Sequence, residues 1–198
     1  MDSKLEKRFT SVLGVRSRAD LFNECFRFAQ DLGFSRVTAS VIVDVGPGET
    51  RWACVDNMPE AFEPIGGNKE ICRIDPVAQH CKASSRPIIW DQSTYVLAGL
   101  ADKWEQQAPY GYEAGIAQAF HMPRRNHFLF GVHRVGALPT ELKESCRLVA
   151  DLSLFAAQVQ EVALAVLLPD INDAAHECML TRRELECLHW TMEGKTAW

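Results

Sequence analysis

The chain has 198 residues, 47% of them hydrophobic and 24% charged, with a net charge of −5. That fits one globular domain with room for a small appendage, and the length suffices to bury a sizeable core. The acidic balance argues against nucleic-acid binding by the chain as a whole. No run of about 18 apolar residues occurs, so no membrane-spanning helix is expected.

The opening "MDSKLEKRFTSV" has no apolar segment of the kind a secretory signal carries, so a cytoplasmic protein without membrane contact is expected. Seven cysteines without framework spacing predict reduced thiols. Cys25, Cys72, Cys146 and Cys187 sit in helix-like apolar patterns and are expected in the core.

Residues 17–32 predict a helix. Ser17 with Asp20 gives a start signal, Leu21, Phe22, Cys25, Phe26, Ala29 and Leu32 form one stripe, and Gly33 is a natural stop. "FSRVTASVIVD" and "TRWACVDN", separated by "VGPGE", predict a two-stranded hairpin. Residues 58–67 predict a loop with at most a short helical turn, because Pro59, Pro64, Gly66 and Gly67 interrupt it. Asp75 followed by Pro76 predicts a helix start. "RPIIWD" reads as a short strand, and residues 100–114 as a helix broken by Pro109 and Gly111. "GIAQAFHMP" and "HFLFGVHRV" predict two more strands. Residues 140–168 predict the longest helix, with a stripe of Leu142, Cys146, Val149, Leu152, Phe155, Val159, Val162 and Val166. Pro169 opens a polar break.

The order α-β-β-α-β-β-α predicts an α+β domain, an α-β-α sandwich with a central antiparallel sheet and helices on both faces. Such a sandwich can hold a ligand between sheet and helices. The expected organisation is a domain with room for a ligand over 1–168, a linker over 169–179, and a further helical segment over 180–198.

That last segment, "LTRRELECLHWTMEGKTAW", has balanced charge, with three basic and three acidic residues. Thr181 and Glu184 form a capping-box pattern, Leu185, Leu188 and Met192 a stripe, and Gly194 a stop before Lys195 and Thr196. It resembles the start of the helix-turn-helix domain of LuxR-type quorum-sensing transcription regulators. The resemblance implies that the recognition helix lies beyond Trp198, so no operator contact is expected from these residues and DNA is a partner of the full-length protein.

Earlier residues follow the same family in order. Asp75–Pro76 in "RIDPVAQHC", Trp90 in "RPIIWD", and Gly115 and Pro123 in "AGIAQAFHMP" match its marked positions, with Ala119 where a second glycine is usual. The resemblance implies an N-acyl-homoserine-lactone pocket, with Asp75 accepting the ligand amide N–H and Trp90 covering the lactone ring. Asp75 reads equally well as a plain helix N-cap, and Trp90 as an ordinary core aromatic. Met58 and Val77 are further expected contacts. Phe62 and Gly66 stand where the resemblance places a donor-bearing Trp and Tyr, so two polar handles are missing. An unpaired ligand carbonyl would cost about 1–3 kcal/mol. Trp52, Tyr95, Arg73, Ser40 and Thr38 are the candidate replacement donors.

The expected small-molecule partner is therefore an autoinducer, an N-acyl-homoserine lactone, bound by a homodimer, with no cofactor. Rival readings are a receptor for another small molecule, a regulator that folds without ligand, or a shortened partner that pairs with a full-length regulator. No G-x-S-x-G, P-loop or HExxH pattern occurs, and the six histidines lack zinc spacing, so neither an enzyme nor a metal site is expected. His121, His127 and His133 read as residues decorating a sheet face.

Overall fold

The computed structural model describes residues 9–46, 49–66, 69–173, 182–192 and 194. The first helix, α1 (Arg18–Asp31), begins where the sequence predicts: the Ser17 hydroxyl accepts the Asp20 N–H at 3.1 Å. It stops at Gly33, which takes a left-handed φ of +81° that a side chain would resist. Leu21, Cys25 and Ala29 are buried as the stripe implies, and so is Phe28, which the stripe omitted. Phe28 stacks on Phe155 of the long helix at 3.8 Å.

Five antiparallel strands form one sheet: β1 (Arg36–Gly46), β2 (Glu49–Asp56), β3 (Ile88–Trp90), β4 (Ala114–Met122) and β5 (Asn126–Arg134). Their order is β2-β1-β5-β4-β3. The β1–β2 pair is the hairpin expected from sequence, and β4 and β5, expected as two strands, pair antiparallel as well. A single α+β domain with helices on both sheet faces results.

Between β2 and β3 lie α2 (Glu63–Gly66), α3 (Lys69–Ile74) and α4 (Pro76–Ala83). Between β3 and β4 lie α5 (Gln92–Leu97) and α6 (Ala101–Gln107), after which Pro109 and Gly111 end the helical course. α2, α3 and α5 are too short to stand out as periodic stripes, which is why the sequence showed a loop or nothing there.

The longest helix, α7 (Leu142–Asp173), continues through Pro169. The expected break at that residue is therefore corrected. Ile171 beyond it is buried, and this packing holds the last turn although proline removes one helix hydrogen bond. The rest of the expected linker lies outside the described residues. The stripe is also corrected at its start: Leu142 is 77% exposed and Cys146 is exposed, whereas Leu152, Phe155, Val159 and Leu167 are fully buried. By length and composition α7 could cross a membrane. Its buried face, however, packs on the sheet, as the core helix of a folded domain does.

Strand alternation divides the sheet into two faces. Val37, Ala39, Val41, Ala53, Val55, Ile116, Phe128, Phe130 and Val132 point to α1 and α7 and make the main core. Thr38, Ala117, Leu129, Gly131 and His133 point to the other face, where the short helices leave a cavity. The first face packs a dense core; on the second, the small strand residues Ala117 and Gly131 leave room for the cavity.

The final helix, α8 (Arg182–Met192), forms as expected, with Leu188 and Met192 on its exposed surface. Gly194 follows it with φ +74°. Thr181, Lys195 and Thr196, and hence the capping box, lie outside the described residues. Of the cysteines expected in the core, Cys25 is buried, while Cys72, Cys146 and Cys187 are exposed. Cys72 sits at the cavity, Cys146 in the first turns of α7 with the exposed Leu142, and Cys187 on a helix whose Leu188 and Met192 are exposed as well. Cys54 and Cys81, not singled out from sequence, are the better-shielded pair, with thiols pushed up to about 12 and about 11, burial being the main cause.

Candidate functional site

A cavity of about 210 Å³ opens between the second sheet face and the short helices. Asp75 lies in its wall. The residue caps α4, its Oδ1 accepting the Ala78 N–H at 2.8 Å, and Pro76 fixes the first helical position. Its Oδ2 accepts from the Tyr95 hydroxyl at 3.0 Å and from the Lys103 ammonium. Both ionic partners are well shielded, with side-chain exposures of 11% for Lys103 and 15% for Asp75. The carboxylate thus caps α4 with one oxygen and lies in the cavity wall with the other. Burial, and next the Asp75 charge, push the Tyr95 phenol up, so it stays a donor.

Trp90 forms the end of β3, opposite Gly115 of β4. It is 2% exposed, meets the edge of Tyr95 at 5.8 Å, and lies 5.6 Å from the His133 ring. Its Nε1 has no hydrogen-bond partner among the described residues, and neither has Nδ1 of His133. Both atoms crowd the backbone of Gly115: a Cβ there would stand 2.9 Å from the first and 3.0 Å from the second. Only glycine permits that approach. Phe62 completes an aromatic group, 4.7 Å from Tyr112 and 5.1 Å from Tyr110. Gln107 is buried and donates to the Tyr112 carbonyl at 3.2 Å.

Burial pushes His133 down to about 4 from the usual 6.5, while Asp75 pulls the other way. The folded chain thus favours the neutral imidazole. As pH falls from 6.5 toward about 4, the unfolded chain takes up the proton first. Stability is expected to decline across that window by about 3 kcal/mol and to level off below it. Urea melts at pH 7, 5.5 and 4 check this, and the His133→Gln variant should show a flatter profile.

Of the residues expected from sequence, Asp75, Trp90, Phe62, Tyr95 and Val77 all line the cavity, as does Thr38. Met58 packs against the Phe62 group without lining the cavity. Ala119 shares the cavity-facing side of β4 but packs with Cys81 one step beyond. Gly66 ends α2, and its surroundings lie outside the described residues. Trp52 is corrected. It pairs with Ile42, four residues along β1 from Thr38, and is 46% exposed beyond the helical cover. Ser40 is buried and Arg73 exposed, and neither lines the cavity.

Sequence reasoning missed Lys103, Gln107, Tyr112 and His133. Only His133 had a usable signal, since alternation in β5 puts it on one side with Leu129 and Gly131. The three histidines do decorate one sheet face. His121 and His127 meet through their Nδ1 atoms at 2.9 Å, and Nε2 of His127 lies 3.1 Å from Asp44.

The family model of the autoinducer binding domain matches residues 17–162, most of the chain. The chain belongs to the autoinducer-binding domain family. Its relatives place this autoinducer-binding domain among the LuxR-type quorum-sensing regulators, as the sequence resemblance implied. Among them, the transcriptional activator protein AnoR of Acinetobacter nosocomialis is 25% identical over 198 residues, covering 100% of this chain and 82% of AnoR. The crystal structure of Escherichia coli SdiA superposes with a TM-score of 0.73 at 23% identity, covering 98% of this chain and 79% of SdiA. SdiA in complex with octanoyl-rac-glycerol superposes with a TM-score of 0.72 at 22% identity, over 99% of this chain and 79% of that one. These similarities establish the fold and family of the domain; its regulatory role is ligand sensing in transcription control.

Proposed function

We propose that the cavity takes an N-acyl-homoserine lactone and that binding there controls dimerisation and DNA binding. The observation that carries this reading is the pairing of a shielded carboxylate, Asp75, with an otherwise largely apolar wall made by Phe62, Val77, Trp90 and Leu129. A carboxylate has about four lone-pair positions. Ala78, Tyr95 and Lys103 use three, which leaves one for a ligand amide N–H. The acyl chain then lies against the apolar wall. The volume is below the roughly 300–1,000 Å³ of drug-sized pockets, which suits a slender chain better than a bulky ring system.

In this reading the sensor acts as a homodimer in the cytoplasm and has no catalytic role. α8 is proposed as the first helix of a helix-turn-helix, with the connection to the sensor falling after Asp173.

One observation favours a second reading, a regulator that folds without its ligand. Lys103 already neutralises Asp75, so the unliganded site holds no uncompensated buried charge. The ligand class can then be wider, and an acyl glycerol, the type of molecule bound in the SdiA complex, is the natural alternative.

Thermal melting tests both readings. The purified chain is melted alone, with a series of N-acyl-homoserine lactones, and with 1-octanoylglycerol. A ligand at about 100 times its Kd should add about 2.7 kcal/mol and raise the midpoint. A shift with lactones supports the first reading. A shift with the glycerol ester alone redirects the ligand assignment, and no shift with either rejects the cavity as an acyl-ligand site.

A further inference from the structure

The sheet face that borders the cavity carries a second cluster of polar side chains at the far end of its strands. β4 and β5 are joined by Pro123–Arg125, and Met122 pairs with Asn126 where the ladder closes. His121 and His127 form the next pair, directly opposite each other. Opposed residues of antiparallel strands point to one face. Asp44 joins them from β1, two residues beyond Ile42, the β1 partner of His127. Along the chain the two histidines are only six positions apart, a spacing of no zinc motif, and the strand register alone makes them a pair.

The hydrogen bonds fix where the lone pairs lie. A carboxylate only accepts, and a neutral imidazole has one donor nitrogen and one acceptor nitrogen. Nε2 of His127 therefore donates its N–H to Asp44 Oδ2 at 3.1 Å, and Nδ1 of the same ring keeps its lone pair. That lone pair faces Nδ1 of His121 at 2.9 Å, so His121 supplies the proton of this contact. A carboxylate behind an imidazole is the arrangement that orients metal-binding histidines and raises their basicity.

The spacing selects the geometry of an ion. With metal–nitrogen bonds of about 2.0–2.1 Å, two ligands at a right angle stand about 2.9 Å apart and two tetrahedral ligands about 3.3 Å apart. The observed 2.9 Å is the separation of neighbouring positions around a tetragonal ion. Nitrogen ligands in that geometry suit Cu²⁺ and Ni²⁺. The rings point nitrogen to nitrogen, so each has to turn for both lone pairs to meet one ion. The torsion that turns an imidazole is broad, and the place is open to solvent: His121 is exposed and the His127 side chain is 27% exposed. The proton on His121 moves from Nδ1 to Nε2 through solvent, and both rings stay neutral.

We propose that His121 and His127 form a two-imidazole site for a divalent, tetragonal first-row ion of the Cu²⁺ or Ni²⁺ class, with Asp44 positioning His127 from behind. Water completes the coordination, because among the described residues no group of three or more His, Cys, Asp or Glu side chains is placed to hold a metal. The ion bridges β4 and β5 beside their connection. It binds the folded chain, where the register brings the two rings together, and stabilises it by mass action. Mg²⁺ and Ca²⁺ are excluded by their preference for oxygen ligands.

Isothermal titration calorimetry of the whole chain with Ni²⁺, near neutral pH, tests the site; Ni²⁺ is chosen over Cu²⁺ because it does not oxidise thiols. His121→Gln and His127→Gln should each weaken binding more than tenfold, and Asp44→Ala, which removes no ligand, about tenfold. Asp44→Asn keeps an oxygen acceptor for Nε2 and should recover most of that loss. His80→Gln is the control on α4, where the ring meets the Arg86 carbonyl, and should bind as the unaltered chain does. Ni²⁺ should also raise the melting midpoint of the unaltered chain and of His80→Gln, but not of either cluster variant. The proposal is overturned if Ni²⁺ does not bind the unaltered chain, if the His121→Gln/His127→Gln double variant binds it as tightly, if only one of the two histidines matters, or if Mg²⁺ raises the midpoint equally.

Discussion

Replacing Gly115 with alanine is expected to lower the stability of this chain by about 3 kcal/mol, the upper part of the range for overpacking. The cause is local and unforgiving. The new Cβ would stand 2.4 Å from the Val132 carbonyl oxygen, which belongs to the neighbouring strand and cannot rotate away. It would also press on Trp90 Nε1 and His133 Nδ1, at 2.9 and 3.0 Å. The β4–β5 ladder must separate or both rings must leave their places. In a chain of this size the melting midpoint should drop by roughly 6–12 °C, and ligand-dependent stabilisation should vanish with it. Gly14→Ala is the matched control, because a Cβ there meets nothing within 4 Å. A midpoint for Gly115→Ala within about 2 °C of the unaltered chain would show that the sheet relaxes freely, against the close packing described here.

The second large effect concerns folding without ligand. Lys103→Met keeps most of the side-chain volume but leaves the Asp75 carboxylate shielded without its cation. Removing one partner of a buried ion pair costs about 3–5 kcal/mol, and a loss near 3 kcal/mol is expected for this partly open pair. The variant should be poorly soluble when expressed alone. Asp75→Asn/Lys103→Met should recover most of the loss, since neither charge then remains. Soluble yield and urea midpoints of the two variants check this. Equal stability of the single and the double variant would mean that Asp75 needs no cation in the unliganded chain.

Much of the fold was legible in the sequence because its elements announce themselves through capping residues and period. Ser17, Gly33, Asp75 and Pro76 mark helix ends where the structure has them, and the four long strands carry clear β-branched patterns. The extent of α7 was not legible at Pro169, because proline discourages a helix locally while burial of Ile171 sustains it through tertiary packing. Site residues divide along the same line. Asp75, Trp90 and Phe62 lie on or next to recognisable local features, and the structure brings them to one cavity. Lys103 gave no signal, since a lysine in a short polar helix reads as a solvated surface residue until the fold sets it 28 positions away from Asp75 in sequence and in contact with it in space. Trp52 failed for the opposite reason. A tryptophan on a strand looks like a site or core residue, but register alone decides how far along the sheet it stands.

Asp75 begins a helix with one oxygen and faces the cavity with the other. A change at the second oxygen is therefore felt by the first turn of α4, because both draw on one carboxylate. The dependence runs both ways, as equilibrium linkage requires: whatever factor an occupant imposes on the helix start, the helix start imposes on the hold on the occupant. Backbone amides at Ala78 and Gln79 are thus an internal gauge of cavity occupancy. Their exchange with solvent should report what sits beside Lys103 without any label on the ligand.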